Sequence, residues 1–151
     1  MTSFRKARHA DLPAIVRLLA DDMLGRSRET VSDPVHPRYE QAFAAIEADA
    51  NQLLAVAVDG EGGIAGCLQL SFIPGLSRTG MWRAQIESVR IAEVHRGGGL
   101  GSRFIEWAVE RAVERGCRLV RLTSDKTRPD AIRFYEKLGF TADHEGLKRS
   151  L

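Results

Sequence analysis

Val89-Arg90-Ile91-Ala92-Glu93-Val94-His95-Arg96-Gly97-Gly98-Gly99-Leu100-Gly101-Ser102 is the stretch on which the fold turns. It opens as a strand-like run and ends in glycines that precede a helical pattern. There Phe104, Ile105, Ala108, Val109 and Ala112 share one face, while Arg103, Glu106, Glu110 and Glu114 face the other way. Gly116 is placed to cap that helix, and Arg118 to Ser124 is strand-like again. A strand at 85–91, a helix at about 99–115 and a strand at 118–124 form a strand-helix-strand crossover whose two strands run parallel. Where the first strand hands over to the helix, backbone N–H groups lack intrahelical partners and the helix dipole favours negative charge. Arg96 to Ser102 is therefore suited to phosphate oxygens. Two familiar phosphate motifs do not fit. No Gly-Lys-Ser or Gly-Lys-Thr closes a Walker loop, and the Gly-x-Gly-x-x-Gly spacing fails at Ser102 and at Phe104. Arg-x-x-Gly-x-Gly does match, at Arg96, Gly99 and Gly101.

Upstream, Ser3 to Arg8 reads as a strand, and Asp11 and Pro13 announce a helix with Leu12, Ile15, Val16, Leu18 and Leu19 at helical spacing, ending near Leu24. Gly25 to Pro37 reads as a polar loop, and Tyr39, Phe43, Ile46 and Ala50 mark a second helix. Leu53 to Val58 and Ile64 to Phe72 are strands joined by the hairpin residues Asp59-Gly60-Glu61-Gly62-Gly63, and a third strand runs from Met81 to Ile91. Downstream, Pro129 opens a helix with Ala131, Tyr135 and Leu138 on its buried stripe, Gly139 ends it, and Phe140 onward is expected to form a last strand. The order β-α-α-β-β-β-α-β-α-β predicts one α/β (α+β) domain with a mixed sheet over residues 1–151.

Composition narrows the function. The 22 basic residues against 20 acidic ones leave a net charge of +2, too small for a non-specific nucleic-acid binder, yet 18 of the 22 are arginines, whose planar forks suit individual phosphates. No apolar run approaches the ~20 residues of a membrane span, and no apolar segment follows the basic start, so the expectation is a cytoplasmic protein. Cys67 and Cys117 stand 50 residues apart among apolar residues and read as buried thiols, with no metal site expected.

Val89-Arg90-Ile91, then Arg96 to Gly101, then Arg133-Phe134-Tyr135-Glu136-Lys137-Leu138-Gly139-Phe140 resemble, in order and spacing, the GNAT superfamily of acetyl-CoA-dependent N-acetyltransferases. The opening Arg8 to Ile15 is similar to that family's usual start. Leu122-Thr123-Ser124 before Arg128-Pro129-Asp130-Ala131, with His144, is similar to its aminoalkylphosphonate N-acetyltransferase branch. The resemblance implies a mostly antiparallel mixed sheet with helices on both faces. It implies acetyl transfer from acetyl-CoA to a primary amine of a small molecule by direct attack in a ternary complex, without a metal, and allows a homodimer. The alternatives are a protein or peptide N-acetyltransferase and a non-catalytic acyl-CoA-binding regulatory module.

By the same resemblance, the pantetheine arm pairs with the backbone at Val89, Arg90 and Ile91. The pyrophosphate falls on the N–H groups of Gly97, Gly98, Gly99, Leu100, Gly101 and Ser102 beside Arg96. Asp130 and Arg133 join the cofactor contacts, and Arg103, Lys126 and Arg128 are further phosphate candidates. A backbone N–H near Val89 is placed for the oxyanion and Tyr135 for the proton needed by the departing thiolate. Strand alternation puts Glu87 on the face of Val89 and Ile91 as first candidate for the base, although the family's carboxylate falls at Ser88; Glu93 and His95 follow. The acceptor is expected near the loop Gly25 to Arg38 and near Trp82. In that loop Asp33 and Glu29 suit an amine, and Arg26, Arg28 and Arg38 suit a carboxylate or phosphonate.

Overall fold

The fold is that of a computed structural model, which describes residues 1–22 and 24–151. Its strands are β1 (Ser3–Lys6), β2 (Gln52–Val58), β3 (Ile64–Ile73), β4 (Arg83–Ile91) and β5 (Leu119–Leu122). The helices are α1 (Leu12–Ala20), the single turn α2 (Gly25–Arg28), α3 (Pro37–Ala48), the short turn α4 (Ser77–Gly80), α5 (Leu100–Glu114) and α6 (Pro129–Lys137). Arg78, Thr79 and Gly80 all stand at positive φ, so α4 winds left-handed.

The strands lie in the order β1-β2-β3-β4-β5, antiparallel except for the parallel pair β4 and β5 that α5 connects. Alternation sorts their side chains between two cores. Ala55, Ala57, Leu68, Leu70, Phe72, Ala84 and Ile86 face α5, where Phe104, Ile105, Ala108 and Ala112 are fully buried. Val56 and Cys67 face the other way, toward Leu12, Ile15 and Val16 of α1 and Phe43 of α3. Helices therefore cover both faces, as expected. Phe104 stacks on Phe4 with ring centroids 5.0 Å apart, and its burial contributes roughly 1.5–3 kcal/mol. Between β2 and β3 the Asp59 carboxylate accepts from the N–H groups of Glu61 and Gly63 at 2.9 Å each, which closes the expected hairpin.

Several expectations need correction. α1 ends at Ala20 rather than near Leu24, within a span whose Met23 lies outside the described residues. The loop after it contains the turn α2, and α3 starts at Pro37, two residues before Tyr39. β4 begins at Arg83 and β5 covers only Leu119 to Leu122. No strand forms from Phe140 onward. Phe140 packs on Tyr135, with ring centroids 5.9 Å apart, and residues 141–151 are all exposed, so the tail has no apolar face to drive pairing.

Candidate active site

The site begins where β4 and β5 part. Their ladder runs from Arg83 with Leu119 to Ile86 with Leu122 and stops, while β4 continues to Ile91. Residues 87–91 thus leave one backbone edge without a strand partner among the described residues. Ser88 stands at φ 56, and between the pairs Gln69 with Glu87 and Cys67 with Arg90 the strand β4 holds one residue more than β3. That extra residue is a β-bulge, and it reverses the alternation beyond it. Val89 and Ile91 consequently pack in the α5-side core with Ala84 and Ile86. Glu87 falls on the opposite face with Gln69 and Arg90, which corrects the expectation that it shares the face of Val89 and Ile91. It is exposed there.

The glycine loop has the geometry that its residue types demand. Gly97 and Gly99 sit at φ 85 and φ 80, in the left-handed region that favours glycine. A Cβ on Gly98 would meet nothing within 4 Å, so this residue faces open space. Gly101 lies beside Phe134 and Ile91 at the start of α5, where a Cβ would stand 3.4 Å from the Phe134 ring, in ordinary van der Waals contact. Among the described residues, the N–H groups of Gly97, Gly98, Gly99, Leu100, Gly101 and Ser102 donate to no carbonyl or side chain. Arg103 folds back so that its Nη1 donates to the Gly98 carbonyl at 3.2 Å, and Arg96 Nε donates to the Ile91 carbonyl at 3.0 Å. With Thr2, Val94 and His95 these two arginines line a cleft of about 250 Å³ beside the loop. His95 Nε2 lies 3.4 Å from the Asp59 carboxylate, and Glu93 is exposed on the short turn before it.

Tyr135 is half-buried on α6, edge-on to Phe134 with ring centroids 5.1 Å apart, in the core that also receives Val89, Ile91 and Leu122. Burial raises its phenol above the ordinary value, against the opposing charges of Arg90 and Arg128, so the hydroxyl keeps its proton at neutral pH. Those two arginines converge on Asp22, in the connection after α1. Arg128 Nη2 donates to Asp22 Oδ2 at 2.9 Å, Arg90 Nε lies 3.2 Å from the same oxygen, and the Gly25 N–H donates to Oδ1. The Arg90 contact is an ion pair without a well-directed hydrogen bond, since its Nε has no partner of good geometry. Burial alone would raise the Asp22 carboxyl; the Arg128 and Gly25 hydrogen bonds and the two charges outweigh it and hold the group below its usual range.

Arg128, expected as a phosphate contact, is thus engaged by Asp22. Arg133 and Asp130 pair with each other on the exposed side of α6, and Lys126 pairs with Glu145 of the tail at 2.8 Å. Trp82 is 37% exposed, just before the paired end of β4, and is not a core residue. In the loop from Gly25 to Arg38, where the acceptor is expected, Glu29 accepts from the Tyr39 hydroxyl at 2.8 Å, while Arg26, Arg28, Asp33 and Arg38 are exposed. Among the described residues no group of three or more His, Cys, Asp or Glu is placed to hold a metal ion, and no helix is long and apolar enough to cross a membrane. Asp22 was missed by sequence reasoning. It lies 106 residues from Arg128, and no local pattern announces the pair.

The model of the acetyltransferase (GNAT) family matches residues 12–140, and the chain belongs to that family. A structure of a transcriptional regulator from Bacillus halodurans C-125 is 51% identical and superposes with a TM-score of 0.97 over all of both chains. An acetyltransferase from Trypanosoma brucei is 28% identical, with a TM-score of 0.80 over all of both chains. The aminoalkylphosphonate N-acetyltransferase of Salmonella typhimurium is 31% identical over 70 residues, 46% of each protein. The chain spans less than half the length of the curated relatives it matches.

Proposed function

We propose that this protein transfers the acetyl group of acetyl-CoA to a primary amine of a small molecule, by direct attack within a ternary complex. The observation that carries the reading is that Tyr135 packs on the same core as Val89 and Ile91 of the unpaired β4 edge, which leads into a glycine loop of free N–H groups. Acetyl-CoA supplies an activated thioester. Backbone groups at Val89, Arg90 and Ile91 hold its amide-bearing arm along the open edge, and a backbone N–H near Val89 meets the developing oxyanion. The N–H groups from Gly97 to Ser102, with Arg96 beside them, take the pyrophosphate. Tyr135, protonated at neutral pH, gives its proton to the departing thiolate, and Arg90 and Arg128 steady the phenolate left behind. A Lys-like amine with a pKa near ~10.4 must lose a proton before attack. Glu87, exposed on the α1 side of the sheet with the acceptor loop, accepts it directly or through water.

The test is release of free thiol from acetyl-CoA across a library of amines, with aminoalkylphosphonates first because of the Salmonella relative. Tyr135→Phe should lower kcat by roughly 10²- to 10⁴-fold while acetyl-CoA affinity stays unchanged. Absence of acetyl-CoA binding refutes the proposal. The likeness to the Bacillus halodurans transcriptional regulator favours a second reading, a regulatory module that binds acyl-CoA without transfer. Binding without thiol release for any amine or peptide, and a silent Tyr135→Phe, would select it.

A further inference from the structure

Asp22, Arg90 and Arg128 come from the connection after α1, from β4 beyond the bulge, and from the residue preceding α6. A carboxylate shared by two guanidinium groups and a backbone N–H has its acceptor capacity largely used, which fixes its rotamer and theirs. Arg128 is the N-cap of α6, and Tyr135 lies on that helix less than two turns later. The Asp22 side chain is 16% exposed, that of Arg90 18% and that of Arg128 41%, so the clamp is half-enclosed on the Asp22 and Arg90 side. Arg90 and Arg128 are the charged groups that act on the Tyr135 phenol among the described residues, and both are held by Asp22.

We propose that Asp22 is a positioning residue, which locks the Tyr135-bearing helix through Arg128, and the open edge of β4 through Arg90, to the loop on the acceptor side. The inference rests on the proton-donor reading of Tyr135. The acceptor loop and the thiolate-protonating helix then move as one body, and disorder in the loop carries directly to the proton donor. Neither α6 nor the loop needs a direct contact with the other for this coupling.

The chain has two tyrosines, so ring-labelled tyrosine NMR gives two signals, and Tyr135→Phe assigns them. In Asp22→Asn the Tyr135 signal should move; Arg128→Gln should move it similarly, and the double variant should move it little further. An unmoved Tyr135 signal in a folded Asp22→Asn protein, or additive shifts in the double variant, overturns the clamp. If Asp22→Asn does not fold, Arg128→Gln alone decides, because Asp22 keeps Arg90; an unmoved signal there overturns the proposal equally. On turnover, Asp22→Asn should reduce kcat about tenfold or more, and Asp22→Glu should recover part of the loss. A rise in KM for acetyl-CoA at constant kcat counts against positioning. The NMR arm needs no substrate, so failure of the acetyl-transfer reading is seen as absent turnover with the clamp intact.

Discussion

Three glycines of one loop should respond to alanine in three different ways. Gly99 stands at φ 80, where an alanine costs about 1–2 kcal/mol, and the new methyl would lie 3.4 Å from Arg103 Nη1, a group free to swing away. For a domain of this size that loss lowers Tm by about 2–8 °C. Gly101, in the first turn of α5, has helical geometry. Its added methyl would meet Phe134 Cζ at 3.4 Å and Ile91 Cγ1 at 3.8 Å, while the exchange itself favours the helix by up to about 1 kcal/mol. Gly101→Ala should therefore hold or raise Tm. Gly98 has no positive φ and no neighbour within 4 Å, so Gly98→Ala should leave stability within about 0.5 kcal/mol. Its methyl instead obstructs the approach to the free N–H groups, and acetyl-CoA affinity should fall about tenfold, or 1.4 kcal/mol. Scanning calorimetry and titration calorimetry on the three variants, with Gly99→Asn as the residue that tolerates left-handed backbone, decide the matter. A Gly101→Ala loss beyond about 1 kcal/mol, or a Gly99→Ala protein as stable as the parent, would show that the division between conformation, packing and approach is wrong.

Phe104→Ala empties a fully buried position stacked on Phe4 and should cost about 3–5 kcal/mol by denaturant titration. The Arg5 hydrogen bonds hold the Asp11 carboxyl below its ordinary value, helped by the Arg8 N–H and against the opposing effect of burial. A depressed carboxylate stabilises the fold above its unfolded pKa of about 3.9 and stops doing so as pH falls through the lower folded value. Stability measured from pH 6 downward should therefore fall across that interval in the parent protein, and Asp11→Asn should flatten this acid limb.

The glycine loop could be read from sequence because its demands are local: φ near 80 at Gly97 and Gly99 favours glycine at both positions. Tyr135 could be placed on a helix because Pro129 and Gly139 bracket it. The bulge at Ser88 could not be foreseen, since nothing in a serine within a strand-like run announces positive φ, and one extra residue was enough to part Glu87 from the face of Val89 and Ile91. Asp22 was hidden for a different reason. Its partners come from distant elements, and only the closing of the sheet between α1 and α6 brings the three charges together.

The parting of β4 from β5 also has a consequence for self-association. A bare strand edge inside a sheet is a template for any extended chain, including a neighbouring molecule or a partly unfolded copy. Here the unpaired stretch 87–91 carries exposed Glu87, and the outer strand β5 is flanked by exposed Arg118 and carries exposed Arg121. A strand from another copy laid along either edge would have to bring its own side chains against those charges. A slender, amide-bearing arm without side chains would not. The opening proposed to take an extended ligand is thereby guarded against amyloid-like pairing, and occupancy of the cleft should make the protein less prone to aggregate as well as more stable.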